Sequence, residues 1–200
     1  MKKIFLTLLS LALVPAAFAA KKVQTVAVDK DASTISWTGE KITGDTHVGT
    51  IAISEGSLEM KKNKLTGGSF VIDMSSIVNT DVEDTKYNKK LVDHLKSDDF
   101  FAAEKHPTAK FVITDVKAKK DGTHSITGDL TIRDKTKPIS FDADVMQEDG
   151  VTVAKAEDVT FNRAEFDVKY NSGSFFSVKK LGDKLIKDEI VLDIVLKTQK

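Results

Sequence analysis

Apolar residues recur with period two along most of the chain: Ile35 and Trp37; Ile51 and Ile53; Phe70, Ile72 and Met74; Ala109, Phe111 and Ile113. The beat returns at Ile126, Gly128, Leu130 and Ile132, and at Ile139, Phe141, Ala143 and Val145. Val151 with Val153, Val159 with Phe161, and Phe166 with Val168 and Tyr170 extend it. Polar residues between these positions give each segment one apolar and one wet face, the signature of a β-strand. Glu55-Gly56, Asp121-Gly122 and Asp149-Gly150 are placed as tight turns, and Lys137-Pro138 as the break between the two best alternating runs. Glycine reaches the positive dihedrals that short hairpins need, and proline interrupts a ladder. About eight sequentially connected, mostly antiparallel strands follow from this count. Closure into a barrel would remove their unpaired edges, while alternation by itself is equally compatible with an open sandwich.

The interruption lies between Asn79 and Phe101. Thr80 with Glu83 reads as a capping box, and Tyr87, Leu91 and Leu95 recur every four residues beside Lys86, Lys89, Lys90 and Lys96. That spacing predicts an amphipathic helix of about four turns whose apolar stripe covers a sheet edge or a barrel mouth. Its lysine-rich polar side also admits a transient membrane contact, diluted by Asp84 and Asp93. In Glu189-Ile-Val-Leu-Asp-Ile-Val-Leu196 apolar residues occupy both parities, which predicts a closing C-terminal strand covered on both faces and touching the helix. Lys179 to Lys187 reads as either a short helix or a loop.

Met1 to Ala20 has a basic end, an eleven-residue apolar run from Ile4 to Val14, then Pro15 and an Ala-Phe-Ala site. The run is too short to span a bilayer and fits a cleaved signal peptide over residues 1–19, leaving one domain over 20–200. The mature protein is therefore expected in the periplasm or secreted. Losing Lys2 and Lys3 leaves 28 of the 30 basic residues against 30 acidic ones, a composition with no bulk attraction for nucleic acid. There is no cysteine, so stability rests on packing and backbone pairing, and thiol catalysis, thiolate metal sites and lipidation of a cysteine at the junction are excluded.

No catalytic constellation stands out. His47, His94, His106 and His124 lack a metal-binding spacing, no serine sits in a Gly-x-Ser-x-Gly elbow, and the glycines do not form a phosphate loop. No metal site and no catalytic cofactor are expected. Only two of the 30 basic residues are arginine. Arg163, near Glu165, reads as a register-locking ion pair or as a contact to an anionic headgroup at a barrel opening; Arg133, beside Asp134, reads as structural. Eight strands enclose a lumen that side chains can fill or that can hold one small ligand, and the mixture of phenylalanines with Gly128 and Ala143 fits both.

Leu91-Val-Asp-His-Leu-Lys-Ser-Asp-Asp-Phe-Phe101, followed by His106-Pro-Thr-Ala-Lys-Phe111, resembles the central motif of the YceI-like family of bacterial polyisoprenoid-binding proteins. The likeness continues through Ile126–Ile132, Thr136–Ile139 and Phe161-Asn-Arg-Ala-Glu-Phe166. It implies an all-β, lipocalin-like, extended antiparallel eight-stranded barrel with one amphipathic helix covering an opening. It further implies non-catalytic binding, transport or storage of an isoprenoid quinone or prenyl lipid in an apolar tunnel. Trp37, Phe70, Ile72, Phe100, Phe111, Ile113, Leu130, Phe141, Phe161 and Phe166, with His94 and Arg163, are the expected ligand-binding residues. An apolar lipid is the expected partner, and a homodimer is allowed. Two positions depart from the family pattern: Leu91-Val92-Asp93 stands where many members carry an Arg-Asp pair, and Glu165-Phe166-Asp167 where many carry Asp-Phe-Gly. These departures favour a neutral quinone or other apolar lipid over a phosphorylated one. A filled structural barrel and a cell-envelope hydrolase are the competing readings.

Overall fold

A computed structural model describes residues 22–200; the expected signal peptide lies outside them. The strands are β1 (Gln24–Ala27), β2 (Thr34–Glu40), β3 (Thr46–Lys61), β4 (Lys64–Asn79), β5 (Thr108–Ala118), β6 (His124–Ile132), β7 (Lys135–Glu148), β8 (Val151–Asn162) and β9 (Glu189–Lys197). Helix α1 spans Thr85–Lys96 and the one-turn α2 spans Val178–Leu181. Every strand pairing is antiparallel, in the order β1-β3-β2-β9-β8-β7-β6-β5-β4, and β3 also pairs with β4. That last pairing closes the sheet, so no sandwich edge remains. β1 and β2 pair with successive halves of β3 and together act as one barrel strand, giving eight strands in the wall.

Turns decide where the barrel departs from the sequence reading. Glu55-Gly56 is not a turn: it sits inside the sixteen-residue β3, at a bulge between Ile53 and Glu55. The bulge restores the inward parity of Gly56, Leu58 and Met60 after Ile51 and Ile53. The β6–β7 hairpin turns at Arg133-Asp134, with φ of 48° and 59°, and Pro138 lies within β7 opposite Asp129. Proline is tolerated there because Lys135 to Ala143 pair only with β6; β8 joins β7 from Asp144 onward. Lys62-Asn63 and Asp149-Gly150, also at positive φ, turn two further hairpins.

The unpaired stretch between β7 and β8 is sealed by another departure. Phe166, Val168 and Tyr170 do not form a strand. Asn162 accepts a hydrogen bond from the Ala164 N–H at 2.9 Å and starts a 3₁₀ turn over Arg163–Phe166. Phe166 and Val168 are fully buried, with the Phe166 ring edge-on to Phe161 at 5.8 Å. Val151–Val153 and Val159–Phe161 are one strand, kinked by a bulge at which Asp158 takes φ 52°.

Helix α1 begins later than the capping-box reading placed it. Asp84, not Thr80, is its cap, accepting from the N–H groups of Lys86 and Tyr87 at 2.9 and 3.0 Å. It runs twelve residues, and Tyr87, expected on the apolar stripe, is 65% exposed. The helix packs chiefly on β4, and Val191 and Val195 on the outer face of β9 are half-buried, so that strand is only partly covered outside.

The core is the barrel lumen, where inward side chains from all eight wall strands meet. Gly128 faces the Phe111 ring: a Cβ placed there would lie 2.3 Å from Phe111 Cζ and 2.6 Å from the Val112 carbonyl oxygen. Gly128→Ala is therefore expected to destabilise the barrel by about 1–3 kcal/mol through overpacking, read as a lowered urea midpoint.

Candidate functional site: an apolar cavity with one framed mouth

The lumen is not filled. A cavity of about 330 Å³ runs through it, lined almost wholly by aliphatic and aromatic side chains of all eight wall strands. Trp37, Ile35 and Ile51 line one end, Phe70, Phe111 and Phe141 the middle, and Leu58, Leu65, Ile126 and Val145 the other. Beyond Leu58 the core continues with Met60, Val26 and Val116, which do not border the cavity and so close that end. The middle is an aromatic waist: Phe111 lies 6.5 Å from Phe70, nearly parallel, and 5.7 Å from Phe141.

Polar lining gathers at the opposite end, where Glu40, Lys41, Asp45, His47, His94 and Tyr170 border the cavity. The two long connections, residues 80–107 with α1 and residues 163–188, lie at this mouth. Leu91, His94 and Leu95 are the face of α1 that meets the cavity. The His94 ring is edge-on to Tyr170 at 4.5 Å and to Phe100 at 5.0 Å, and its Nε2 lies 3.1 Å from Asp99 Oδ2.

The start of α1 is tied to the barrel rim by a polar knot. Asp81 accepts from the Val48 N–H at 2.8 Å, from Asn79 Nδ2, and pairs with His47 Nδ1 at 2.9 Å. Asn88 on α1 donates to the carbonyls of Asn79 and Val82, each at 3.0 Å. Burial pushes the Asp81 carboxyl up, but the bonds from His47, Val48 and Asn79 outweigh it and hold it below the ordinary 3.8. A depressed folded-state pKa gives stability that is present above the unfolded value and lost as pH falls through the folded one. Asp81→Asn should therefore lower Tm at neutral pH, with the difference from wild type closing below pH 3.8; a melting series against pH checks it.

Arg163 frames the other connection. Only 1% exposed, it donates from Nε to the Lys187 carbonyl at 3.1 Å, from Nη1 to Val168 at 2.9 Å and from Nη2 to Ile186 at 3.1 Å. Its carboxylate neighbour is Asp188, 3.2 Å away, while Glu165 is exposed. Burial pushes the guanidinium pKa down and Asp188 opposes that shift. The headgroup reading of Arg163 is thus corrected, because its donors are engaged by backbone carbonyls, and so is the expected pairing with Glu165. Arg133 is structural as expected, though through carbonyls: its Nη1 reaches those of Phe100 at 2.8 Å and Asp167 at 2.7 Å.

Of the twelve residues expected at the ligand site, eleven border this cavity, Arg163 only by its framework position; Phe166 instead plugs the wall seam. The histidines do not converge: His47, His94 and His106 each pair with a different aspartate, and His124 lies at the far end of the barrel. Among the described residues no three histidine, aspartate or glutamate groups come together to hold a metal.

Comparison with known proteins agrees with this architecture. Residues 27–198 match the family model described as the YceI-like domain. The chain belongs to the YceI-like family. Over 50 residues it is 50% identical to a UPF0312 protein of Pseudomonas putida, a stretch covering 25% of this chain and 26% of that relative. Matches of this kind span about a quarter of those relatives' length. Among solved structures the YceI-like barrel superposes on BcnA of Burkholderia cenocepacia with a TM-score of 0.68 at 20% identity, covering 86% of this chain and 99% of that one. A domain from Saccharophagus degradans, described as polyisoprenoid-binding, gives 0.62 at 14% identity, covering 89% and 99%. At these identities the likeness establishes the fold.

Residues of this YceI-like cavity that the sequence reading passed over fall into two kinds. Ile190, Leu192, Ile194 and Leu196 of β9 alternate inward and were legible once its even positions were separated from Val191 and Val195. Tyr170 and His47 were not, because one stands in a loop and the other is placed by Asp81, 34 residues away.

Proposed function

We propose that this protein binds one long-chain isoprenoid or quinone-type lipid within its barrel, for non-catalytic transport or storage in the periplasm after removal of residues 1–19. The carrying observation is the continuous apolar cavity that ends in a mouth with His94, Tyr170 and His47 at its rim. At ~0.8 kcal/mol per buried methylene, each five-carbon unit contributes roughly 3–4 kcal/mol gross, so a few enclosed units give micromolar or tighter binding after association costs. The cavity volume lies in the range of small-ligand sites. The tail extends past Phe111 toward Leu58, and the headgroup rests among the polar groups of the rim. The related domain described as polyisoprenoid-binding supports the ligand class. The framework role of Arg163 favours a neutral headgroup.

Native mass spectrometry of protein purified from exporting cells, with extraction of bound lipid, tests this reading. A stoichiometric apolar ligand on a chain starting near Ala20 is expected. An empty protein that also refuses added quinones and prenyl alcohols would return the case to a structural barrel.

A further inference from the structure

The connection between β8 and β9 carries a group of apolar side chains that the fold leaves in solvent. Phe175 is 42% exposed, Phe176 51% and Val178 57%; Ile42, whose N–H donates to the Leu185 carbonyl of the same connection at 2.9 Å, is 54% exposed. The segment is firmly framed. Ser172 is fully buried, its carbonyl accepts from the N–H groups of Phe175 and Phe176, and Ser174 Oγ donates to Asp188 at 2.6 Å. Arg163 bonds the carbonyls on both limbs. The fold therefore presents two aromatic rings outward on an ordered support, where a solvent-facing loop ordinarily carries polar residues.

The surrounding charge is mainly basic, although Lys187 pairs with Glu40 at 2.6 Å and Lys169 lies 3.8 Å from Asp167. From Lys169 to Lys187 there are five lysines and a single acidic residue, Asp183. Lys169, Lys179, Lys180 and Lys184 are exposed, and Lys169 Nζ stands 5.0 Å from the Phe175 ring centroid. The patch also continues into the mouth. Phe176 and Leu181 share a groove with Tyr170, whose ring touches His94 at the cavity rim. Asp98, Asp99 and Asp167 border that groove; Asp98 pairs with Lys105 and Asp167 with Lys135, while Asp99 lies 3.1 Å from His94 Nε2.

Apolar side chains flanked by lysines, on the rim of a lipid cavity, match an anionic bilayer surface: the rings enter the acyl boundary and the lysines meet headgroups. We propose that the Phe175-Phe176-Val178 loop, rather than α1, is the surface by which this protein docks on membranes rich in anionic phospholipid, setting the cavity mouth against the lipid. The placement of the mouth rests on the lipid-binding reading; the docking surface itself does not require it.

Two assays separate the claims: sedimentation with phosphatidylglycerol/phosphatidylethanolamine vesicles, and quenching of Trp37, the sole tryptophan and a cavity-lining residue, by a quinone in detergent micelles. Phe175→Ser/Phe176→Ser and Lys179→Glu/Lys180→Glu should each weaken vesicle binding at least tenfold and leave micellar quenching and melting unchanged. Lys86→Glu/Lys90→Glu on α1 should bind vesicles as wild type does. Absence of wild-type binding to these vesicles, equal binding by the loop variants, or loss confined to the α1 variant would overturn the proposal. So would a dimer of the wild type that the phenylalanine substitutions dissolve, since a second copy would then own the patch. Failure of quenching with intact vesicle binding would instead remove the lipid-cavity reading and leave the docking surface standing.

Discussion

Arg163→Met should cost about 3–5 kcal/mol of unfolding free energy, the scale for breaking a buried charged network at one partner. The apolar stem is kept, but the carbonyls of Val168, Ile186 and Lys187 lose their donors and Asp188 loses its neighbouring cation. Because these carbonyls belong to both limbs of the 163–188 connection, amide exchange should rise there before it rises in the strands. Arg163→Lys keeps the charge but not the fork that reaches three carbonyls, and should recover less than half of the loss. Urea unfolding with residue-resolved exchange checks both variants. Near-wild-type stability in the methionine variant would remove the framework role assigned here.

A charge at the aromatic waist should have the largest effect on binding. Phe111 stands between Phe70 and Phe141, midway along the cavity. Phe111→Asp places a carboxylate where no partner is available, so an apolar chain threading past it would have to leave that group desolvated. Quinone quenching of Trp37 is expected to fall by at least 100-fold. Phe141 is only half-buried and tolerates the same change with less damage to folding, which makes Phe141→Asp the variant to use where Phe111→Asp does not fold. Retained quenching by a folded Phe141→Asp protein would place the ligand elsewhere.

The strands of the barrel wall were legible because alternation reports directly which side chains share a face, and most of the inward residues follow from it or from the family motif. Alternation by itself left closure open, because the β3–β4 pairing depends on contacts that no local window contains; the family resemblance supplied it. Glu55-Gly56 and Lys137-Pro138 misled for a shared reason. Glycine and proline mark turns on average, but here one lies at a bulge and the other on a half-paired edge, both tertiary circumstances. Arg133-Asp134, the actual turn, carries no glycine signal; the guanidinium bonds to Phe100 and Asp167 hold a residue pair that would otherwise disfavour positive φ. Phe166 was placed in the cavity because its spacing from Val168 and Tyr170 imitates a strand, whereas the Asn162 cap had already turned the chain. The partners of Arg163 lie up to 25 residues away and could not be read locally.

The barrel is asymmetric along its axis. Lys62-Asn63, residues 119–123 and Asp149-Gly150 join strands at one end with minimal chain, while both long connections stand at the other. On the proposed lipid-binding function, a resident molecule would leave by the entrance before a successor arrived, so exchange would pass through an empty state at a rate independent of the incoming molecule's concentration. Residence time, rather than encounter, would then set the pace of delivery.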